Sequence, residues 1–198
     1  MKKKNKIFIF LGIGALLLLI TKKTYTAVKK MALETPKDYI KLMYPIALKI
    51  QSKTGIPYLF MLAQTALETA YGKSTLFYNA FNIGGIKAKP GAPFVEAWTT
   101  EHVTDVNKYP NRDKTKDKDL GNGKTSIKIK AKFAKFDTLE QGAEAWTRII
   151  LLPRYKEAFK YKNDPKQFAA EIKAGGYATD VNYTAKMAKM IDTVKNLI

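Results

Sequence analysis

The sequence predicts an α+β protein: a mainly helical lobe, a small antiparallel β lobe, and an N-terminal hydrophobic helix ahead of both. Three observations carry this. Apolar residues recur at helical spacing from Thr35 to Gly72, and again from Thr138 to the C-terminus. Between those stretches, from about Asn79 to Phe136, glycine, proline and strictly alternating segments replace the helical period. At the start, Ile7 to Ile20 is an uninterrupted run of fourteen apolar or glycine residues. Helices, then strands, then helices is an α+β order, and it leaves a cleft between the lobes.

The apolar run is preceded by lysines at positions 2, 3, 4 and 6 and followed by Lys22 and Lys23. A basic start before an apolar stretch is the layout of a secretory signal. Thr24-Tyr25-Thr26-Ala27 is a poor cleavage site, which favours an uncleaved signal-anchor over a cleaved signal. The run is shorter than the ~20 residues a bilayer usually requires, and Thr21 to Val28 can extend it if the lysines snorkel. Lysines on both sides leave the orientation undecided. The expected organisation is therefore a membrane segment at residues 1–30 and one folded domain at 31–198.

Within the domain, Thr35-Pro36-Lys37-Asp38 reads as a helix start with a first-turn proline and an acidic capping partner. Tyr39, Leu42, Met43, Ile46, Ala47 and Ile50 then keep helical spacing up to Gly55. Pro57 opens a second helix whose expected buried stripe is Leu59, Leu62, Ala63, Ala66, Leu67 and Ala70. Gln64, Glu68 and Tyr71 fall on a different face at i, i+4 and i+7, with Glu68 near the helix end at Gly72. Val95, Ala97, Thr99, Glu101 and Val103 share one face of a strand, and Ile127, Ile129, Ala131 and Phe133 alternate with lysines in a second. Asp105 to Lys124 is polar and reads as a mobile hairpin loop. Thr138 to Gln141 is a capping box for a helix through Trp146 and Ile150, stopped by Pro153. Asp164-Pro165 starts a short helix ended by Gly175-Gly176, and a last one runs from near Tyr183 to Leu197.

Composition narrows the chemistry. The 198 residues carry a net charge of +18, almost all of the cation being lysine. Such a field attracts anionic polymers, and a solvated lysine surface is the plain alternative. Base-specific DNA readers lean on arginine forks, and only Arg112, Arg148 and Arg154 are available, so no nucleic acid is expected. With no cysteine and one histidine, His102, the chain has neither a disulfide framework nor a histidine metal cluster. No metal or cofactor is called for. What remains is carboxylates, tyrosines and amides, the set glycoside hydrolysis uses. Glu68, at a helix end beside aromatics, suits an acid of raised pKa; alone, a glutamate in an alanine-rich helix is a solvated residue.

The wider pattern decides between those readings. Ala63-Gln64-Thr65-Ala66-Leu67-Glu68-Thr69-Ala70-Tyr71-Gly72-Lys73-Ser74 closely resembles the catalytic stretch of the bacterial glucosaminidases, glycoside hydrolase family 73, which includes flagellar rod-clearing enzymes and autolysins. Asn79 to Lys87 resembles the family's Asn-x-Phe-Gly-Ile-Lys segment with extra residues before Ile86-Lys87. Trp98-Thr99-Thr100-Glu101, Phe133 to Phe136, Pro153-Arg154-Tyr155 and Gly175 to Asp180 with Tyr183 follow in the family's order, so the resemblance covers about residues 38–196.

The resemblance implies a lysozyme-like fold and cleavage of the β-1,4 bond after N-acetylglucosamine in peptidoglycan. It makes Glu68 the general acid, Glu101 the second, β-lobe glutamate, and Tyr177 the cleft tyrosine. Gln64, Tyr71, Asn82, Trp98, Asp180 and Tyr183 become substrate contacts by the same matching. Glu96 competes with Glu101 but points to the opposite strand face. The attacking group, water or the substrate's acetamido, stays open. So do two other readings: an N-acetylmuramidase or lytic transglycosylase of the same fold, and a non-catalytic wall-binding protein. The expected partners are peptidoglycan and, through the N-terminal segment, a membrane. The expected setting is anchored facing the wall or secreted, in a cellular or a phage lysis role.

Overall fold

The computed structural model describes residues 33–198, and the membrane segment expected at residues 1–30 lies outside the described residues. Among the described residues no helix is long and apolar enough to cross a membrane.

The first helix among the described residues, α1 (Pro36–Thr54), begins where the sequence places it. The Thr35 backbone and hydroxyl donate to Asp38 Oδ2 at 3.0 and 2.7 Å, and the Asp38 backbone N–H returns a bond to Thr35 Oγ1 at 3.3 Å. Gly55 closes the helix in the left-handed region, at φ 78. The second, α2 (Tyr58–Thr69), is the central helix, packed against α1 and against the two C-terminal helices below.

That central position corrects the expected single stripe. Every residue from Phe60 to Ala66 is buried, whereas Leu67, assigned to the buried stripe, is 39% exposed. A helix surrounded by neighbours buries polar positions too, and Gln64 is only 1% exposed. After α2 the backbone turns sharply, with Ala70, Tyr71 and Gly72 all at positive φ. Thr69 Oγ1 holds this turn, accepting from the Gly72 N–H at 2.9 Å and donating to Thr65 O at 2.6 Å.

A six-residue helix, α3 (Thr75–Ala80), follows, capped by Ser74 Oγ at 3.2 Å from the Phe77 N–H. Its shortness hid it from periodicity. The β lobe has three strands, β1 (Phe94–Val103), β2 (Asp113–Gly121) and β3 (Lys124–Ala134), in the order β1-β3-β2 with both pairings antiparallel.

The expected mobile loop at Asp105 to Lys124 is thus corrected. It holds a 3-10 turn at Val106–Lys108 and the whole of β2. The β2 sequence DKTKDKDLG has no apolar alternation to reveal it, and its strand form rests on ladder bonds to β3. Arg112 organises the approach, donating to Asp117 Oδ2 at 2.7 Å and to the carbonyls of Val106 and Tyr109 at 3.1 and 3.2 Å.

The chain returns to the helical lobe through α4 (Leu139–Ile150), a 3-10 helix (Pro153–Tyr161), α5 (Pro165–Ala174) and α6 (Tyr183–Lys195). Thr138 and Asp164 cap α4 and α5 as the sequence indicates. Gly142 lets α4 close on the end of α3, since a Cβ there would stand 1.9 Å from the Phe81 carbonyl oxygen. The core between these helices is aromatic, with Phe60 4.9 Å from Phe168 and 6.1 Å from Trp146 between ring centroids.

Candidate active site

Four of the predicted site residues come together, brought by α2, α6 and the bend that follows α5. Gln64 and Glu68 lie one turn apart on α2, so their side chains meet. Gln64 Nε2 donates to Glu68 Oε1 at 2.9 Å. The other end of the same amide is taken from α6, where the Tyr183 hydroxyl donates to Gln64 Oε1 at 2.5 Å. Tyr177, just beyond α5, packs its ring 6.0 Å from that of Tyr183. A fifth residue joins from α4: Trp146 Nε1 donates to the Tyr177 hydroxyl at 3.3 Å.

The electrostatics follow from this packing. Glu68 is exposed at the end of α2, directly after the buried run from Phe60 to Ala66. Desolvation pushes its carboxyl above the usual carboxylate range, and the hydrogen bond from Gln64 pulls the other way without cancelling it. Tyr177 is pushed up by burial, partly offset by the Trp146 bond, with the nearby charge of Glu68 adding to the rise. Tyr183 is also raised by burial, then by Tyr177 and Glu68. Both phenols keep their protons at any working pH, so they are hydrogen-bond donors and not bases. The cluster therefore presents one titratable carboxyl that holds its proton more tightly than an ordinary carboxylate does, bound to an amide of fixed orientation. That is the equipment of a general acid.

The remaining predicted residues sit elsewhere. Glu101 is on β1, paired with Lys87 at 2.9 Å. Among the described residues, no hydrogen bond or ion pair links it to Glu68. It shares the less exposed sheet face with Ala97 and Thr99, and Glu96 lies on the other face, as the alternation predicts.

Asn82 was matched to a substrate contact, but its polar atoms are spent inside the chain. Nδ2 donates to the carbonyls of Ile86 and Ala134 at 2.8 and 2.9 Å, and Oδ1 accepts from the Ile86 N–H at 2.8 Å. It is a buried clamp tying the Asn82–Ile86 turn to the end of β3. Trp98, also matched to the substrate, stands on the sheet face opposite Glu101 and is 49% exposed. The Tyr71 hydroxyl donates to Met190 Sδ at 3.0 Å. Asp180 is engaged at the start of α6, accepting from Lys186 Nζ at 2.6 Å and the Asn182 N–H at 2.9 Å.

By its helical spacing in the sequence, Trp146 is only a core residue. The signal available was a tryptophan in a buried stripe, whose indole N–H requires a partner. A cavity of about 390 Å³ lined by Gln51, Tyr58, Lys162 and Asn163 opens at the other end of α2 and carries no carboxylate. Ten helical residues, about 15 Å, separate Tyr58 from Glu68, so this cavity is not the site.

Comparison with known proteins establishes the family. Residues 44–196 match the glucosaminidase family, described as mannosyl-glycoprotein endo-beta-N-acetylglucosaminidase. Peptidoglycan hydrolase FlgJ of Pseudomonas aeruginosa is 27% identical over 160 residues, which is 77% of this chain and 35% of that protein. FlgJ of Salmonella typhimurium is 27% identical over 166 residues, 80% of this chain and 46% of that protein. The chain thus spans between a third and a half of the length of these relatives. A peptidoglycan hydrolase mutant from Sphingomonas sp. A1 superposes with a TM-score of 0.62 at 27% identity, covering 81% of this chain and 97% of that one. The C-terminally truncated glycoside hydrolase domain of Salmonella typhimurium FlgJ superposes at 0.61 and 27% identity, covering 82% and 99%. With the family match spanning most of its length, this chain belongs to the glucosaminidase family of glycoside hydrolases.

Proposed function

We propose that this chain hydrolyses peptidoglycan, cutting the β-1,4 bond that follows N-acetylglucosamine, with Glu68 as the general acid. The observation that carries this is the Glu68 carboxyl, desolvated at the end of α2 and oriented by the Gln64 amide that Tyr183 holds. In the reaction the protonated carboxyl gives its proton to the glycosidic oxygen as the bond to the anomeric carbon breaks. The sugar left behind carries oxocarbenium character and is captured by water, directly or after the acetamido oxygen has attacked. Tyr177, whose hydroxyl accepts from Trp146, keeps its own proton to donate to the substrate beside Glu68. Glu101 is the second carboxylate, delivered from the β lobe. The names of the FlgJ and Sphingomonas relatives support the substrate class.

Purified protein on a peptidoglycan zymogram tests the activity, and a wall-binding protein would leave no clearing. Mass spectrometry of the released sugars tests the bond. Reducing-end N-acetylglucosamine is expected. Reducing-end N-acetylmuramic acid, or anhydro products, would reassign the chain to a muramidase or a lytic transglycosylase.

The enzyme works at a membrane, facing the wall. Support comes from the apolar run Ile7 to Ile20 between lysine clusters. Removing residues 1 to 30 is expected to leave a soluble, active domain, because the first helix cap, at Thr35 to Asp38, lies beyond the cut. Aggregation of the truncated protein would show that the segment belongs to the core.

A further inference from the structure

The β lobe has a second face that the cleavage chemistry does not use. On β1, Phe94, Glu96, Trp98 and Thr100 point away from the Glu101 side, and their direct partners on β3 are Ala134, Lys132, Lys130 and Lys128. Two large aromatics are left open there, Trp98 at 49% and Phe94 at 43% exposure. Lysine ammonium groups stand over both rings: Lys132 Nζ is 4.3 Å from the Phe94 centroid, and Lys130 and Lys128 are 5.6 and 5.8 Å from that of Trp98.

Three further facts separate this face from an ordinary solvated lysine surface. Among the described residues, neither Lys130 nor Lys132 has a carboxylate within ion-pair distance, although Glu96 lies directly across from Lys132. The lysines alternate along one strand, which sets them roughly 7 Å apart, the step of two residues in a strand. At the Phe94 end the face runs into a cavity of about 340 Å³ lined by Lys89, Pro90, Gly91, Phe94 and Lys132, again with no acid in its lining.

We infer that this outer face of the sheet, with Trp98 and Phe94 set among Lys128, Lys130, Lys132 and Lys89, is a binding surface for a phosphodiester-linked sugar or polyol polymer. Sugar or polyol units lie on the aromatic rings, and the evenly spaced ammonium groups meet one phosphate per repeat. Charge complementarity selects an anionic partner, and alternation along a strand selects one with regularly repeated charge. The choice of a wall polymer over single-stranded nucleic acid, whose bases also stack on aromatics, rests on the proposed wall-directed function. Such a surface holds the enzyme on the wall while the opposite face of the lobe serves the cleft.

The test is co-sedimentation of the full chain, in mild detergent, with phosphate-bearing cell walls and with the same walls stripped of phosphodiester polymer by acid. The wild type is expected to be retained at least tenfold more on the phosphate-bearing wall, with the preference lost in high salt. The triple variant Lys128→Gln, Lys130→Gln, Lys132→Gln should lose that preference, yet lyse the stripped wall as fast as the wild type. Equal retention of the two proteins on the phosphate-bearing wall would overturn the inference. So would tighter binding to a single-stranded oligonucleotide than to a poly(glycerol phosphate) probe. Failure of both proteins to lyse the stripped wall would overturn the hydrolase reading instead, and leave the binding result standing.

Discussion

Tyr183 and Gln64, 119 residues apart in the chain, share a hydrogen bond of 2.5 Å whose donor is the phenol. A phenol that donates to the amide oxygen forces the amide's NH2 toward Glu68. Helix α6 thereby sets the orientation of a carboxylate on α2.

Tyr183→Phe breaks that constraint. Gln64 Oε1 is left buried without a partner, at a cost of roughly 1–3 kcal/mol. The amide is then free to turn its oxygen toward Glu68, which favours the protonated carboxyl still more. The expected result is about a tenfold loss of activity, with the alkaline limb of the pH profile moved to higher pH. If activity falls and the pH profile does not move, Tyr183 acts on the substrate or the fold and not through Glu68.

Glu68→Gln should fold normally and lose nearly all lytic activity, because the isosteric amide has no proton to give. More than a tenth of the wild-type rate would remove Glu68 from the mechanism. Stability gives an independent check. Burial raises the folded-state pKa of Glu68 above its unfolded value. Its favourable contribution is therefore complete at low pH and is lost as pH rises through the folded pKa. At pH 7 the variant should melt above the wild type, and the gap should close as the pH falls below the ordinary carboxylate range. A variant less stable than the wild type at pH 7 contradicts the raised pKa.

Glu101→Gln should reduce activity less than the Glu68 change if the acetamido oxygen attacks, and comparably if Glu101 positions the water. Glu96→Gln, on the outer face, should leave the rate on phosphate-free glycan unchanged. A large loss from Glu96→Gln with none from Glu101→Gln would mean that the other face of β1 meets the substrate.

Asn82→Ala removes three hydrogen bonds, two that close the Asn82–Ile86 turn and one that joins it to Ala134 at the end of β3. A loss of about 3 kcal/mol is expected, seen as a lower Tm. The KM of the protein that stays folded at low temperature should not change. A raised KM with an unchanged Tm would restore Asn82 to the substrate contacts.

Gly142→Ala puts a methyl group into the Phe81 carbonyl. Backbone lies on both sides of the contact, so no rotamer relieves it, and α4 must move off α3. A destabilisation of about 2 kcal/mol or more is expected by thermal melting. A wild-type Tm would mean that the two helices are not held at this distance.

Much of the fold was legible because its signals are local. The caps at Thr35, Thr138 and Asp164 need only residues two or three positions away, and all three start helices where expected. Strands β1 and β3 declared themselves by alternation, since one face of each is the drier one. β2 could not. Lysines and aspartates fill most of both its faces, and the partners that make it a strand are the β3 ladder and an Arg112 hub, neither written in its own period.

The site divides along the same line. The sequence by itself determined the chain's family and its candidate acid, through ordered blocks around Glu68 that no single residue could carry. Only the tertiary structure decided how polar atoms are used. Gln64 and Tyr183, matched to the substrate, spend their strongest hydrogen bonds on Glu68 and each other. Asn82 is consumed as a clamp, and Trp98 faces away from Glu101. A residue's type is inherited along the chain, but which of its hydrogen-bonding groups remain free depends on neighbours brought from far away. A one-dimensional pattern holds no record of those neighbours.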